Sequence, residues 1–327
     1  VDNKKTLPAF SEQEYIKAQI LLASRVATMM GRKLEEGDWS YVYHSAKGFP
    51  LSGWSNLNID VVHGNLGVEH KMLCVKSEKT IKEYCGLTLM HPAATRSIRI
   101  LSTEGDATEA ARDVLTQYAE LIRQRTKAVS SNAPAVEPDM RTGWLLWQES
   151  LKEFLYFEER MLAPNPHEYW AEWKESGGGS RKSSRNLWVY EIATGRKRYS
   201  ITTTAGAKIQ PYFDVPAPND PNLYYFRVQG EEVAEGFTRV WVTATTAILL
   251  ERTLGSLDTD TISQAILQAT QEITQMETKE GGTSSSEDVA KPIIITTSAY
   301  DALSHCFDGV SDEHLMQLFV RFLSRSK

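Results

Sequence analysis

The chain has 327 residues, 41% apolar and 24% charged, a globular composition long enough for one large domain or two of average size, which excludes disorder and fibrous structure. No apolar run reaches the roughly 18 residues of a membrane span, and the polar stretch Val1–Phe10, with Pro8, predicts no intact signal peptide. Cys74, Cys85 and Cys306 form an odd set without close pairs, so neither a disulfide framework nor a zinc site is expected, and the cytoplasm is the expected compartment.

The formal net charge is -6, which argues against binding a polyanion through bulk charge. The total hides an asymmetry. Between Gly177 and Gln210, Arg181, Lys182, Arg185, Arg196, Lys197, Arg198 and Lys208 face a single acid, Glu191, so this segment carries +6 and the remainder -12. A local basic surface on an acidic protein is the pattern of a polyanion site; the alternative is a solvated loop and strand edge.

Taken in chain order, Ser11 and Glu14 have capping-box spacing, and Ile16, Ile20, Ala23, Ala27 and Met30 recur at helical intervals, predicting a helix over 12–33. Three β-type runs follow, Trp39–Tyr43, Leu57–Val62 and Leu66–Val75, the last two joined through His63, Gly64 and Asn65 as a hairpin. A helix is predicted from Ala107 to Lys127, ending before a Ser130–Pro138 linker. The aromatic-rich stretch from Trp144 to Trp173 reads as helical and packed against a sheet. Strands are expected at Leu187–Glu191, Tyr199–Thr204, Leu223–Val228, Arg239–Ala244 and Pro292–Thr296. Helices are expected around Thr261–Thr274 and Glu313–Ser324, with a loop at Gly281–Asp288.

The informative segment runs from Asp60 to Lys71. Asp60 closes one strand of the hairpin, and Glu69 and Lys71, one residue apart, project from one face of the next strand, with His70 facing the opposite way. The hairpin brings Asp60 towards Glu69, so two carboxylates and a lysine converge beside the backbone carbonyl of His70. Apolar flanks at Leu66, Val68, Met72 and Leu73 favour burial of this set, and buried carboxylates need a counter-charge. Oxygen-only ligands select Mg²⁺, with Mn²⁺ as a substitute, and a retained water would serve as nucleophile with Lys71 orienting it. The scatter of His44, His63, His70 and His91 forms no zinc-ligating pattern.

A helix, strands carrying Asp and then Glu-x-Lys, and a further helix over residues 11–127 resemble the PD-(D/E)XK nuclease superfamily. The resemblance implies Asp60 and Glu69 as Mg²⁺ ligands with the His70 carbonyl, and Lys71 as catalytic lysine. Ile59 stands where the motif has Pro. Members often add a carboxylate from the first helix, for which Glu14 and Glu36 are both candidates. The implied fold is mixed α/β, a restriction-endonuclease-like core whose central mixed sheet is flanked by helices, with a β-rich DNA-recognition elaboration. Residues 1–130 would open the core, 131–255 would form the elaboration, and 256–327 would pack back on the core.

Chain length and local positive charge look like a type II restriction enzyme, acting as a homodimer on double-stranded DNA and leaving a 5′-phosphate and a 3′-hydroxyl. No Walker motif occurs, so no ATP is expected. Arg181, Lys182, Arg185, Arg196, Lys197, Arg198 and Lys208 are candidates for phosphates and Gln210 for base edges. Lys47 and the Ser52–Asn56 turn with Trp54 are further DNA-facing candidates. A weak resemblance of Trp54–Met72 to methylcytosine-dependent restriction enzymes adds a possible dependence on cytosine methylation. The alternatives are a non-catalytic DNA-binding module with this fold and a metal-dependent phosphoesterase acting on small molecules.

Overall fold

Capping chemistry fixes where the first helix begins: the Ser11 backbone N–H donates to Glu14 Oε2 at 2.7 Å and the Glu14 N–H returns to Ser11 Oγ. The computed structural model describes residues 6–29, 32–50, 59–76, 80–92, 98–100, 105–176, 184–203, 208–272, 290–307 and 309–325. The chain runs β1 (Thr6–Leu7), α1 (Glu12–Thr28), α2 (Glu36–Lys47), β2 (Val61–His63), β3 (Leu66–Val75), β4 (Thr88–Met90), α3 (Ala107–Asn132), β5 (Asp139–Gln148), β6 (Glu153–Arg160), β7 (Tyr169–Ser176) and β8 (Ser184–Glu191). It continues with β9 (Lys197–Thr202), β10 (Lys208–Asp214), β11 (Tyr224–Arg227), β12 (Glu231–Ala234), β13 (Phe237–Thr243), α4 (Ala244–Leu254), α5 (Thr259–Glu272), β14 (Ala290–Thr296), α6 (Thr297–Cys306) and α7 (Asp312–Arg325).

Two expectations are corrected. The predicted strand Trp39–Tyr43 lies inside α2. Its buried residues Trp39, Val42, Tyr43 and Ala46 are spaced as one helical stripe, and Gly48, at φ 69°, stops the helix in a left-handed conformation. The predicted aromatic helix from Trp144 to Trp173 is instead the strands β5, β6 and β7. Gly143–Gln148 and Glu153–Glu158 are buried without a break, because both faces of these strands are covered and the two-residue alternation that marks a strand is lost. The predicted loop Gly281–Asp288 lies outside the described residues.

The main sheet has the order β1-β6-β5-β3-β2, with β11 also on β6. The β2–β3 hairpin is antiparallel, whereas β3 and β5, linked through α3, are parallel from Leu66↔Asp139 to Val75↔Gln148. Thus β5 and β6 share a sheet with β3. One face packs on α1 and α2 through Leu22, Trp39, Tyr43, Val68, Leu145 and Tyr156. A five-stranded antiparallel sheet, β4-β10-β9-β8-β7, packs one face on α3. The three-stranded sheet β12-β13-β14 joins α4–α7 in a third core, which touches α1. Among the described residues no helix is long and apolar enough to cross a membrane.

Candidate active site at the edge of strand β3

A two-residue turn, Gly64 and Asn65, closes the β2–β3 hairpin, with Gly64 at φ 58° as the tight hairpin turn requires. The register pairs Val61 with Val68, so one step further places Asp60 beside Glu69. β2 ends there, and among the described residues the β3 edge beyond Val68 has no strand partner. Asp60 Oδ2 occupies it, accepting the His70 backbone N–H at 2.6 Å. A residue's N–H and C=O point to the same side of a strand, so the His70 carbonyl shares this edge.

Glu69 and Lys71 lie on the face turned towards α3. Lys71 Nζ is 2.5 Å from Glu69 Oε1, and Arg125 of α3 brings Nη1 to 3.5 Å from the same oxygen. Glu69 Oε2 is buried without a hydrogen-bond partner. From the first turn of α2, exposed Glu36 shares a hydrogen bond with Asp60. Burial, the Glu69 charge and the Glu36 contact together push the Asp60 carboxyl up to about 8, against the opposing effect of the His70 N–H. Burial and the neighbouring carboxylates therefore favour the protonated form of Asp60, while Lys71 and Arg125 offset the charge of Glu69.

The Glu14 alternative separates from Glu36 here. Glu14 is committed to the Ser11 cap and to Lys47 Nζ at 3.1 Å. Lys47, a DNA-facing candidate, lies near the rings of Phe10, Tyr43 and Phe49; the Ser52–Asn56 turn lies outside the described residues. The His70 ring is buried on the opposite face among Trp39, Tyr43 and Tyr156. Burial foremost, aided by His44 and Lys71, pushes it down to about 3, so it stays neutral.

Two residues near the cluster escape the sequence reading as site members. Arg125 follows Tyr118 and Ile122 at helical spacing, a cation on the inward stripe of α3, and that position was the available signal. His91, 8% exposed, lies 2.8 Å from the Met72 carbonyl through Nε2. A carbonyl only accepts, so Nε2 carries the proton and the buried, unpartnered Nδ1 carries the lone pair. Burial foremost holds this imidazole below its usual range; Lys71 adds to the effect, and the Met72 carbonyl and Glu36 oppose it.

The basic segment is dispersed over the five-stranded sheet. Arg196 and Arg198 both reach Asp214, at 3.5 and 3.2 Å, and Arg198 also reaches Glu191. Arg185 lies over the Trp173 ring, and Lys197 over Trp188. Lys208 and Gln210 open β10, opposite Thr202 and Ser200. Arg181 and Lys182 lie outside the described residues.

No group of three or more His, Cys, Asp or Glu side chains among the described residues is arranged to hold a metal ion. The residues that could hold a hard cation are Asp60 and Glu69 with the His70 carbonyl; with only two carboxylates, water would have to complete the shell, as it commonly does around Mg²⁺, and the unpartnered Oε2 of Glu69 would offer one oxygen. Compared with known proteins, the chain matches no protein-family model, no curated protein and no solved structure.

Proposed function

We propose that the chain is a Mg²⁺-dependent, sequence-specific endonuclease of double-stranded DNA, of the type II restriction kind and active as a homodimer. The observation that carries this reading is the convergence of Asp60, Glu69 and Lys71 on a strand edge, with Glu69 Oε2 unpartnered. The hairpin followed by a crossover through α3 to a parallel β5 supports it as well. A hard divalent cation, when bound, supplies Lewis-acid polarisation of a phosphodiester and acidifies water. Asp60 and Glu69, with the His70 carbonyl, would hold that cation at the sheet edge. Lys71, paired to Glu69, stands where a cationic donor orients the attacking water and opposes charge developing on phosphate. Arg125 fixes Glu69 from the helix side, and Glu36 holds the carboxyl of Asp60.

The test is incubation with Mg²⁺ of paired plasmids, unmethylated and cytosine-methylated, beside Asp60→Asn and Lys71→Ala. Discrete fragments are expected from the parent, with cleavage by either variant reduced by roughly a hundredfold or more. Comparison of the two plasmids reads methylation dependence. Parent-like cutting by Lys71→Ala would overturn the assignment.

A further inference from the structure

The five-stranded sheet has two unlike faces. Ala171, Leu187 and Val189 turn inward to α3, and since side chains alternate along a strand, the residues between them point away from that helix. On this outward face the cross-strand partners Trp170 and Tyr190 stack, with centroids 4.4 Å apart and planes 13° apart. Trp170 keeps 41% of its surface exposed. Two residues along β8, Trp188 carries the Lys197 ammonium 3.3 Å from its ring centroid, and the same ammonium lies 5.0 Å from the Tyr212 ring.

Charge on this face favours an anionic partner. Lys174, Lys197 and the exposed Lys208 stand against Glu172, whose carboxylate is already taken by Tyr190 and by Lys174 at 3.2 Å. Burial pushes Lys197 down to about 8, with Glu172 opposing only in part; the group stays largely charged at neutral pH, and a phosphate placed beside it would favour that charge further. An exposed ring, Trp170, beside half-buried rings that carry lysine cations suits nucleotides, whose bases stack and whose phosphates pair. In a duplex the base faces are covered by their neighbours, so stacking on such rings requires unpaired bases.

We infer that the outward face of the five-stranded sheet binds single-stranded DNA, with Trp170 stacking an unpaired base and Lys174, Lys197 and Lys208 contacting phosphates. The choice of DNA rests on the endonuclease reading, whereas the stacking and charge arguments do not.

The test is titration of the full chain, in EDTA to prevent cleavage, with a fluorescein-labelled oligothymidylate and with a duplex of equal length, following anisotropy and tryptophan quenching. The single strand is expected to bind more tightly and to quench. Trp170→Ala should weaken it about tenfold, and Trp170→Phe should restore most of the loss. Lys197→Gln should weaken binding and lower its salt dependence. Absence of plasmid cleavage by the parent together with tryptophan-dependent binding would sink the nuclease reading and leave this one standing. Tighter binding of the duplex, or variants that bind like the parent, would overturn the inference.

Discussion

Gly143 shows how narrowly single atoms constrain the wall behind the site. It is the register partner of His70 on β5, and a Cβ there would lie 2.3 Å from Tyr156 Oη and 2.9 Å from the His70 ring. Tyr156 cannot simply swing aside. Its hydroxyl donates to Glu158 Oε1 at 2.8 Å, as does Tyr43, and Arg141 holds the other oxygen at 2.9 Å. Moving the ring would leave a fully buried carboxylate short of a donor. Gly143→Ala is expected to lose roughly 1–3 kcal/mol in urea denaturation, and Tyr156→Phe in the same chain should recover part of it, giving a non-additive pair. Parent-like stability of Gly143→Ala would mean that the tyrosine has another place to go.

At the scale of elements, α7 begins with a buried acid that joins it to the turn before β12. Asp312 accepts the Gly230 N–H at 2.9 Å and the Tyr300 hydroxyl at 3.1 Å, while its own N–H donates to Gln229. An acid in a first helical turn is ordinarily favoured, but burial pushes this one up to about 6 from an ordinary 3.8. Between those values the folded protein binds more protons than the unfolded chain. Stability therefore falls as pH rises from about 4 to about 6, by up to roughly 3 kcal/mol. Asp312→Asn, which keeps an acceptor and adds a donor, should flatten that slope in denaturation curves taken across the window.

The elements legible in the sequence are those with one covered face or an explicit cap: α1 with its Ser11 box, β3 from Leu66 to Val75, and α3 with its apolar stripe. Strands buried on both sides carry no alternation, so the stretch holding β5, β6 and β7 mimics a helix in sequence, and the aromatic stripe of α2 mimics a strand. Within the candidate site, Asp60, Glu69 and Lys71 were legible because a hairpin relates them locally. Arg125 and His91 were not, since only the folding of α3 and β4 against the sheet brings them near Glu69 and Met72.

For the whole molecule, the proposed cation site would link binding to folding. A cation held by Asp60 and Glu69 would stabilise the native state by about 2.7 kcal/mol at a hundred times its dissociation constant. Added Mg²⁺ is therefore expected to raise the thermal midpoint of the parent by several degrees and to leave Asp60→Asn unmoved. Equal shifts in both proteins would place the cation elsewhere.

The short pairing of β2 with β3 has a consequence for how copies of the chain behave in solution. An uncovered strand edge is a template on which another molecule can extend the sheet. Here two of the polar backbone groups past Val68 are occupied from the side, His70 N–H by Asp60 and Met72 C=O by His91, so an incoming strand finds an incomplete ladder. On this argument Asp60 also disfavours sheet extension between molecules. Asp60→Ala, which frees the His70 N–H, should scatter light at lower protein concentration than Asp60→Asn, which retains the acceptor, and the difference would separate solubility from catalysis at one position.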